Sequence, residues 1–288
     1  MNQLKLFIEL TRLKKPIGYM LLFWPCAWGL TLAYDFNETL NFYFFYLFLF
    51  FLGSILMRSA GCIINDIFDK EFDTKVFRTK DRPIASGKIS IKLAIFYSII
   101  LCFLALLVLL NFNYFTIVLA LGSMPLAFSY PLMKRYTYWP QLFLGITFNY
   151  GLILGWTAAT GNIDFAPILF YLGAIFWTLG YDTIYGYQDI KDDEIIGLKS
   201  TSIKFKKKAK QFLFTCYFTL LIFFIIGGYF MKFDSIYYLL LIAPIFHLFF
   251  YQLKKFNLEN SSSCLKVFKS NNLFGLIIYL NILIVKNL

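Results

Sequence analysis

The sequence predicts an all-α membrane protein, and three observations support this fold class. Hydrophobic residues make up 59% of the 288 residues and charged residues only 15%, a balance typical of chains that cross a bilayer repeatedly. Nine apolar runs of about 20 residues, the length that spans the hydrocarbon core, follow one another along the chain. The basic residues are almost all confined to alternate connections between these runs.

The nine runs are the predicted transmembrane helices, and they leave no stretch long enough for a soluble domain. They cover residues 17–35, 41–64, 91–111, 113–132, 141–160, 165–187, 211–231, 234–252 and 271–287. The whole chain, residues 1–288, is therefore predicted to form a single integral membrane domain with nine transmembrane helices.

The distribution of lysine and arginine predicts the orientation. Basic residues cluster before the first run and after the second, fourth, sixth and eighth runs. Such clusters collect on the cytoplasmic side of a membrane, which predicts a cytoplasmic N-terminus. The net charge of +11 is then explained by this bias and by attraction to the lipid bilayer, so no nucleic-acid partner is expected. Because LFIELTRLKKPIGYM at residues 6–20 shows no cleavable leader, a multi-pass protein of a bacterial inner membrane is the expected location.

Two short motifs place acidic residues at a spacing of four, where apolar runs end. NDIFDKEFD covers residues 65–73 and YGYQDIKDD covers residues 185–193. The positions at this spacing are Asn65, Asp69 and Asp73 in the first motif and Tyr185, Asp189 and Asp193 in the second. Steps of four residues advance about 400° around a helix, so each set lies along one helix face. Both sets fall at the predicted cytoplasmic ends of their helices.

Two such faces turned toward each other would form a cage of oxygen ligands. Mg²⁺ takes one or two carboxylates directly and completes its shell with water and substrate phosphates, so the cage suits Mg²⁺ bound to a diphosphate. The candidate metal ligands are Asn65, Asp69, Asp73, Asp189 and Asp193. The four aspartates are also candidate catalytic residues.

Basic residues close to the first motif are candidates to bind the diphosphate. Arg78 and Arg82 lie in VFRTKDRPIASG at residues 76–87, and a diphosphate carries more negative charge than metal ions alone neutralise. The chain has 22 lysines and only five arginines, which suggests that arginine is retained where its planar fork matters. A plain basic loop of a membrane protein is the alternative interpretation.

Two charged residues lie deeper in the predicted membrane spans. Arg58 lies seven residues before Asn65, and Asp182 lies seven residues before Asp189, so each returns to nearly the same helix face. Burying a charge at this depth of the membrane costs free energy, so a functional role is the default hypothesis for such a residue. Arg58 is predicted to bind a substrate carboxylate through its guanidinium fork and is a candidate catalytic residue. An ion pair between Arg58 and Asp182 is the structural alternative.

The end of the fourth run supplies two more candidates. Tyr130 and Lys134 are four residues apart in SYPLMKRYTYWPQ, so both could reach the same cavity mouth. An aromatic residue at the membrane interface with a neighbouring snorkelling lysine would look the same. Tyr185, Asp182 and Gln188 complete the predicted substrate-binding set.

Five motifs in order resemble those of the UbiA-type intramembrane prenyltransferases. They are NDxxDxxxD at 65–73, RTKDRPIASG at 78–87, YPLMKRYTYWPQ at 130–141, YDTIYGYQDIKDD at 181–193 and GLKST at 197–201. Flanking segments at 12–30 and 264–275 are similar to the 4-hydroxybenzoate polyprenyltransferase branch of ubiquinone biosynthesis. The resemblance implies a helical bundle around a central cavity that opens laterally to lipid. It also implies Mg²⁺-dependent transfer of a polyprenyl chain from polyprenyl diphosphate to 4-hydroxybenzoate.

The residues alone leave two alternatives open. Another aromatic compound could be the acceptor, since the residues by themselves do not name it. A transporter with charges inside the membrane is the second alternative, although the acidic sets lie at helix ends rather than at the bilayer midplane. No obligate protein partner is expected.

Overall fold

The computed structural model describes residues 3–288, and these residues contain α-helices joined by turns, with no strand. The first eight helices are α1 Gln3–Leu10, α2 Ile17–Ala33, α3 Leu40–Phe68, α4 Lys70–Asp73, α5 Ile91–Leu109, α6 Tyr114–Ser129, α7 Met133–Tyr136 and α8 Pro140–Thr160. The others are α9 Phe165–Gly186, α10 Ile190–Ile196, α11 Thr201–Lys204, α12 Ala209–Phe230, α13 Ser235–Leu240, α14 Ile242–Ile245, α15 Leu253–Lys255 and α16 Ser261–Lys286. The all-α fold class is confirmed.

All nine predicted spans are helical, but one of them is short. Eight helical segments within residues 3–288 are long and apolar enough to cross a membrane. The first predicted span is α2, an apolar helix of 17 residues, about 25 Å long at 1.5 Å per residue. Three spans, Tyr114–Tyr136, Lys206–Phe230 and Ser235–Lys255, combine several helical pieces. The last of these three spans, Ser235–Lys255, includes a π-helix over Phe246–Gln252.

Two spans are longer than their apolar runs, because polar residues continue the helix. Helix α3 extends to Phe68 and therefore carries the start of the first acidic motif. Helix α16 begins at Ser261, where the side chain of Asn260 accepts a hydrogen bond from the Ser263 amide at 3.0 Å. An N-terminal cap of this kind stabilises a helix start, and hydropathy alone does not detect it.

Helices α2 and α8 cross at very close range, and glycine makes this approach possible. A Cβ atom added at Gly155 would overlap the carbonyl oxygen of Cys26, and one at Gly29 would overlap the carbonyl oxygen of Leu152. Small residues allow backbones to meet in this way in membrane bundles, where van der Waals packing drives association. This crossing holds α2 in the centre of the bundle, where it also packs against α3 and α16.

Buried indole groups join α2, α9 and α16. The Trp28 ring lies 5.1 Å from the Trp177 ring, and both residues are fully buried. Trp28 Nε1 donates to the carbonyl oxygen of Gly275 at 2.9 Å, and Trp177 Nε1 donates to Asn271 Oδ1 at 2.8 Å. Because both indole N–H groups are satisfied, the large aromatic surfaces are buried without an unpaired polar atom. These contacts fix α9, which carries the second acidic motif.

Replacing Gly155 with alanine should force α2 and α8 apart. We expect the free energy of unfolding of the detergent-solubilised protein to fall by about 1–3 kcal/mol, the usual cost of overpacking. Gly122→Ala in α6 is the matched control, because an added Cβ there meets nothing within 4 Å. Equal unfolding curves for the two variants would show that the close crossing is unimportant for stability.

Candidate active site

The first acidic motif lies where α3 ends. Asp69 follows the last residue of α3 with φ −94° and ψ 2°, a sparsely populated backbone region. The amide of Asp69 still donates to the carbonyl oxygen of Asn65 at 2.9 Å, and the amide of Asp73 donates to that of Asp69 at 2.8 Å. The four-residue hydrogen-bond spacing therefore continues through the break, and the side chains stay on one side as predicted.

The second acidic motif repeats this arrangement. Helix α9 ends at Gly186, and Asp189 immediately precedes α10 with φ −115° and ψ 8°. The amide of Asp193 donates to the carbonyl oxygen of Asp189 at 2.9 Å. In both motifs the central aspartate lies between a long apolar helix and a short helix that carries the last aspartate.

Arg78 connects the two motifs. Its Nε donates to Asp189 Oδ1 at 2.7 Å and its Nη2 donates to Asp189 Oδ2, a two-pronged pairing of the kind that arginine forms with carboxylates. Its Nη1 also contacts the hydroxyl of Tyr185 at 3.4 Å. Arg78 follows the first motif in the chain, so this pairing links the connection after the first motif to Asp189 of the second.

The carboxylates of the first motif are also paired with cations. Lys134 Nζ donates to Asp69 Oδ2, and Arg82 Nη1 donates to Asp73 Oδ2 at 2.7 Å. Asn65 Nδ2 donates to Asp69 Oδ2 at 2.9 Å. Lys134 comes from α7, the last helical piece of the fourth span. The basic residues named as diphosphate ligands therefore lie within the site, but in this structure they contact the acidic residues.

Sequence reasoning missed a buried ion pair next to the motif. Asp66 is 2% exposed, and its Oδ1 accepts from Arg12 Nη2 at 2.5 Å and from Arg82 Nη1 at 3.2 Å. Arg12 has φ 57°, a left-handed backbone conformation that side chains other than glycine adopt at a cost. The available signal was the acidic residue directly after Asn65. This signal was missed because Asp66 is not one of the positions at four-residue spacing, which are Asn65, Asp69 and Asp73.

The predicted five-ligand cage is not assembled in this structure. Among residues 3–288, no three His, Cys, Asp or Glu side chains are close enough together to hold a metal ion. The physical reason is that Asp69, Asp73 and Asp189 each have a basic partner. The sequence spacing identifies which carboxylates share a face but does not identify which cation occupies them.

Two carboxylate features fit a divalent cation. Asp69 Oδ1 is buried and has no hydrogen-bond partner. Asp193 has no basic group within 4.0 Å in the described part of the chain. Burial, and then the charge of Asp189, raise the pKa of Asp193 to about 6. Hard carboxylate oxygen atoms are the ligands that Mg²⁺ prefers, with one or two carboxylates per ion.

An apolar cavity of about 360 Å³ lies between α2, α3, α5, α6 and α8, and Arg58 and Tyr130 line it. The Arg58 Nε is buried without a hydrogen-bond partner, and its guanidinium carbon lies 5.5 Å from the centre of the Phe148 ring. No carboxylate within residues 3–288 lies within 4.0 Å of Arg58, so the alternative ion pair with Asp182 is not formed. The structure thus presents an unpaired cation to an apolar space.

The remaining predicted residues lie at the edges of the site. Asp182 is half-buried on α9, about 10 Å before Asp189 along the chain direction of a helix. Gln188 Nε2 donates to the carbonyl oxygen of Tyr185 at 3.0 Å, so its amide nitrogen is used by the local backbone. Tyr130 and Lys134 do not act at one point, because Tyr130 faces the cavity and Lys134 contacts Asp69.

The architecture defines a class: a multi-span membrane protein whose polar site lies at the ends of two helices, beside an apolar cavity. Solved structures share this fold. A UbiA homolog from Aeropyrum pernix K1 matches with a TM-score of 0.77 and 23% identity, over 93% of this chain and 98% of that one. A UbiA homolog from Archaeoglobus fulgidus bound to GPP and Mg²⁺ matches with a TM-score of 0.71 and 17% identity, over 98% of this chain and all of that one.

The family follows from the sequence. Residues 22–277 match the model of the UbiA prenyltransferase family, and the chain belongs to this family. A mitochondrial 4-hydroxybenzoate polyprenyltransferase of Bos taurus is 44% identical over 96% of this chain and 74% of the relative. That of Drosophila melanogaster is 42% identical over 97% of this chain and 71% of the relative. Family membership sets the transporter alternative aside.

The expected location in a bacterial inner membrane is wrong. The curated relatives at 41–44% identity are named as mitochondrial and come from animals and a plant. The distribution of basic residues indicates which helix ends lie on the same face of a membrane. It does not identify the membrane, so it could not support a bacterial location. The predicted cytoplasmic placement fails with it. Arg12 still pairs with Asp66, and Arg78 pairs with Asp189. These two contacts place the N-terminal segment and both motifs on one face of the membrane.

Removing the charge of Asp66 should destabilise the protein, because Arg12 and Arg82 lose a buried partner. We expect Asp66→Asn to lower the free energy of unfolding by about 3 kcal/mol, the lower end for a broken buried pair, since both arginines are partly exposed. Arg12→Gln in the same background should restore part of this loss. The measurement is a double-mutant cycle on thermal unfolding. Additive effects of the two substitutions would contradict the pairing.

Proposed function

We propose that this protein transfers a polyprenyl chain from polyprenyl diphosphate to 4-hydroxybenzoate, at the carbon ortho to the hydroxyl group. The step belongs to ubiquinone biosynthesis and takes place in a mitochondrial membrane. Relatives named 4-hydroxybenzoate polyprenyltransferase, at 41–44% identity over nearly the whole chain, support this activity. The structural observation that supports it is the Arg78–Asp189 pairing, which links the connection after the first acidic motif to the second motif.

The metal-binding role is assigned to five residues. Asn65, Asp69, Asp73, Asp189 and Asp193 would hold Mg²⁺, and the free Oδ1 of Asp69 and the unpaired Asp193 are the support within this chain. The structural neighbours from Archaeoglobus fulgidus are bound to GPP or DMAPP together with Mg²⁺. When bound, Mg²⁺ supplies positive charge that makes diphosphate a better leaving group.

Three basic side chains are assigned to the diphosphate. Arg78, Arg82 and Lys134 are already held inside the site by carboxylates. Each can exchange a carboxylate oxygen for a phosphate oxygen without leaving the site, because both are oxyanions of similar hydrogen-bonding geometry. Fixed positive groups at the departing diphosphate stabilise the charge that develops there. The carboxylates thus keep these cations in place before the substrate arrives.

Arg58 is assigned to the acceptor. Its guanidinium group borders the apolar cavity with no carboxylate partner among the described residues, and a benzoate carboxylate matches its fork. Tyr130 and Phe148 line the same cavity and give the aromatic ring apolar walls. The apolar lining also keeps water from the allylic cation that forms when diphosphate departs.

Three residues on and after α9 complete the proposed substrate site. Asp182 precedes the second motif on α9, and Tyr185 contacts Arg78 through its hydroxyl. Gln188 follows Tyr185 and holds its backbone. We assign these residues to orientation of the substrates. An aspartate or the released diphosphate accepts the proton that the aromatic ring loses.

Neutralising a motif aspartate should abolish activity. Asp69→Asn and Asp189→Asn each remove a proposed metal ligand and the partner of a diphosphate-binding cation, so we expect turnover to fall by about 10²–10³-fold or more. The measurement is incorporation of labelled 4-hydroxybenzoate into lipid-extractable product, with and without EDTA. Asp81→Asn is the control, because Asp81 is an exposed aspartate in the connection after α4, close in sequence to Asp69 and Asp73. Near-normal turnover in either motif variant would refute the metal assignment.

Arg58→Lys should affect one substrate more than the other. Lysine keeps the charge but loses the planar fork, so we expect the KM for 4-hydroxybenzoate to rise by about tenfold or more. The KM for the prenyl diphosphate should change little, because Arg58 lies about 16 Å before Asp69 along a helix. Equal increases in both KM values would contradict the carboxylate-binding role.

A further inference from the structure

A basic groove lies where three spans end, away from the cavity that Arg58 lines. It has a volume of about 1140 Å³ and lies between the start of α12, the end of α15 and the turn that precedes α16. Six lysines line it: Lys206, Lys207, Lys208, Lys210, Lys254 and Lys255. None of the residues assigned to the active site lines it. The inference drawn from it therefore does not depend on the proposed function.

The charges in the groove are poorly compensated. All six lysines are exposed, and only Lys206 has a carboxylate within 4.0 Å in the described part of the chain, Glu194 at 2.8 Å. Glu259 is the one acidic residue that lines the groove. Backbone and amide groups of Asn257 and Asn260 add polar surface. Such a concentration of positive charge attracts anions and favours a ligand that carries more than one negative charge.

The surroundings favour a membrane lipid over a soluble anion. Phe214 lies four residues after Lys210 on α12 and is 50% exposed, and Phe250 lies four residues before Lys254 and is 62% exposed. On both walls, then, a lysine at the helix end is followed one turn deeper by an exposed aromatic ring. A phospholipid has this order of groups, with phosphate at the surface and acyl chains below it.

We propose that this groove binds the phosphate groups of an anionic phospholipid, with the acyl chains along the exposed faces of α12 and the π-helical span. Basic pockets between transmembrane helices bind anionic headgroups in this way. The volume exceeds the usual size of a small-molecule site, which suits a lipid with two phosphate groups such as cardiolipin.

The groove also touches the segment that carries the second motif. The Phe256 ring, part of the groove wall, lies 5.4 Å from the Tyr187 ring, and Lys206 pairs with Glu194 of α10. Tyr187 and Glu194 flank Asp189 and Asp193. A lipid held in the groove would therefore contact Phe256 and Lys206, the two residues that touch this segment.

The test is a titration of the purified, delipidated full-length protein with cardiolipin, followed by native mass spectrometry, with phosphatidylcholine as the neutral lipid. The groove variant is Lys207→Gln, Lys208→Gln, Lys254→Gln and Lys255→Gln. The matched control removes four exposed lysines from the same face outside the groove: Lys5→Gln, Lys14→Gln, Lys88→Gln and Lys92→Gln. Inorganic diphosphate is added as a competitor in a separate arm.

We expect the wild type and the control to prefer cardiolipin over phosphatidylcholine, and the groove variant to bind cardiolipin about ten- to hundredfold more weakly. The double variant with only Lys254→Gln and Lys255→Gln should show a smaller loss of cardiolipin affinity. It replaces the fourfold variant in the test if the fourfold variant fails to fold. Equal weakening in the groove variant and the control would overturn the proposal. Displacement of cardiolipin by inorganic diphosphate at equal concentration would also overturn it, because the site would then bind soluble anions.

Discussion

Charge compensation at the ends of two apolar helices is the constraint on which the site depends. Asp66 and Asp69 are each only 2% exposed, and a buried carboxylate without a partner is strongly unfavourable. Each therefore requires a cation from elsewhere in the chain. Arg12 comes from the segment before α2, Arg82 from the connection after α4, and Lys134 from α7. The acidic motifs thus determine how the connections between the spans are packed.

Under the proposed function, the same pairing prepares the site for its substrate. Cations that are held by carboxylates would be ordered before the diphosphate binds, so less side-chain entropy would be lost on binding. Lysine and arginine do not serve this purpose equally. Four of the five arginines, Arg12, Arg78, Arg82 and Arg135, contact motif residues or their backbone. The fifth, Arg58, borders the cavity. Arg78 uses its fork to bind both oxygen atoms of Asp189, and Arg82 bridges Asp66 and Asp73.

The sequence predicted the fold well because its spans obey a simple length rule. All nine apolar runs are helical, although three of them consist of several consecutive helical pieces. The largest error was the start of α16, where polar residues from Ser261 onward are helical but not apolar. Spacing also identified the two acidic faces. It could not show that Arg12 pairs with Asp66, since 54 positions separate them. It also could not show that cations, rather than a second carboxylate, would lie next to Asp69 and Asp189.

Under the proposed function, basic side chains hold the acidic motifs until a metal–diphosphate complex takes their place on the carboxylates. The most direct test is calorimetric titration of Mg²⁺ into the purified protein, with and without an unreactive thio-diphosphate analogue of geranyl diphosphate. If the cations can move to the diphosphate only when it is present, the affinity for Mg²⁺ should rise by about tenfold or more with the analogue. Equal Mg²⁺ affinity in both titrations would contradict the account, because the carboxylates would then be free to bind metal alone.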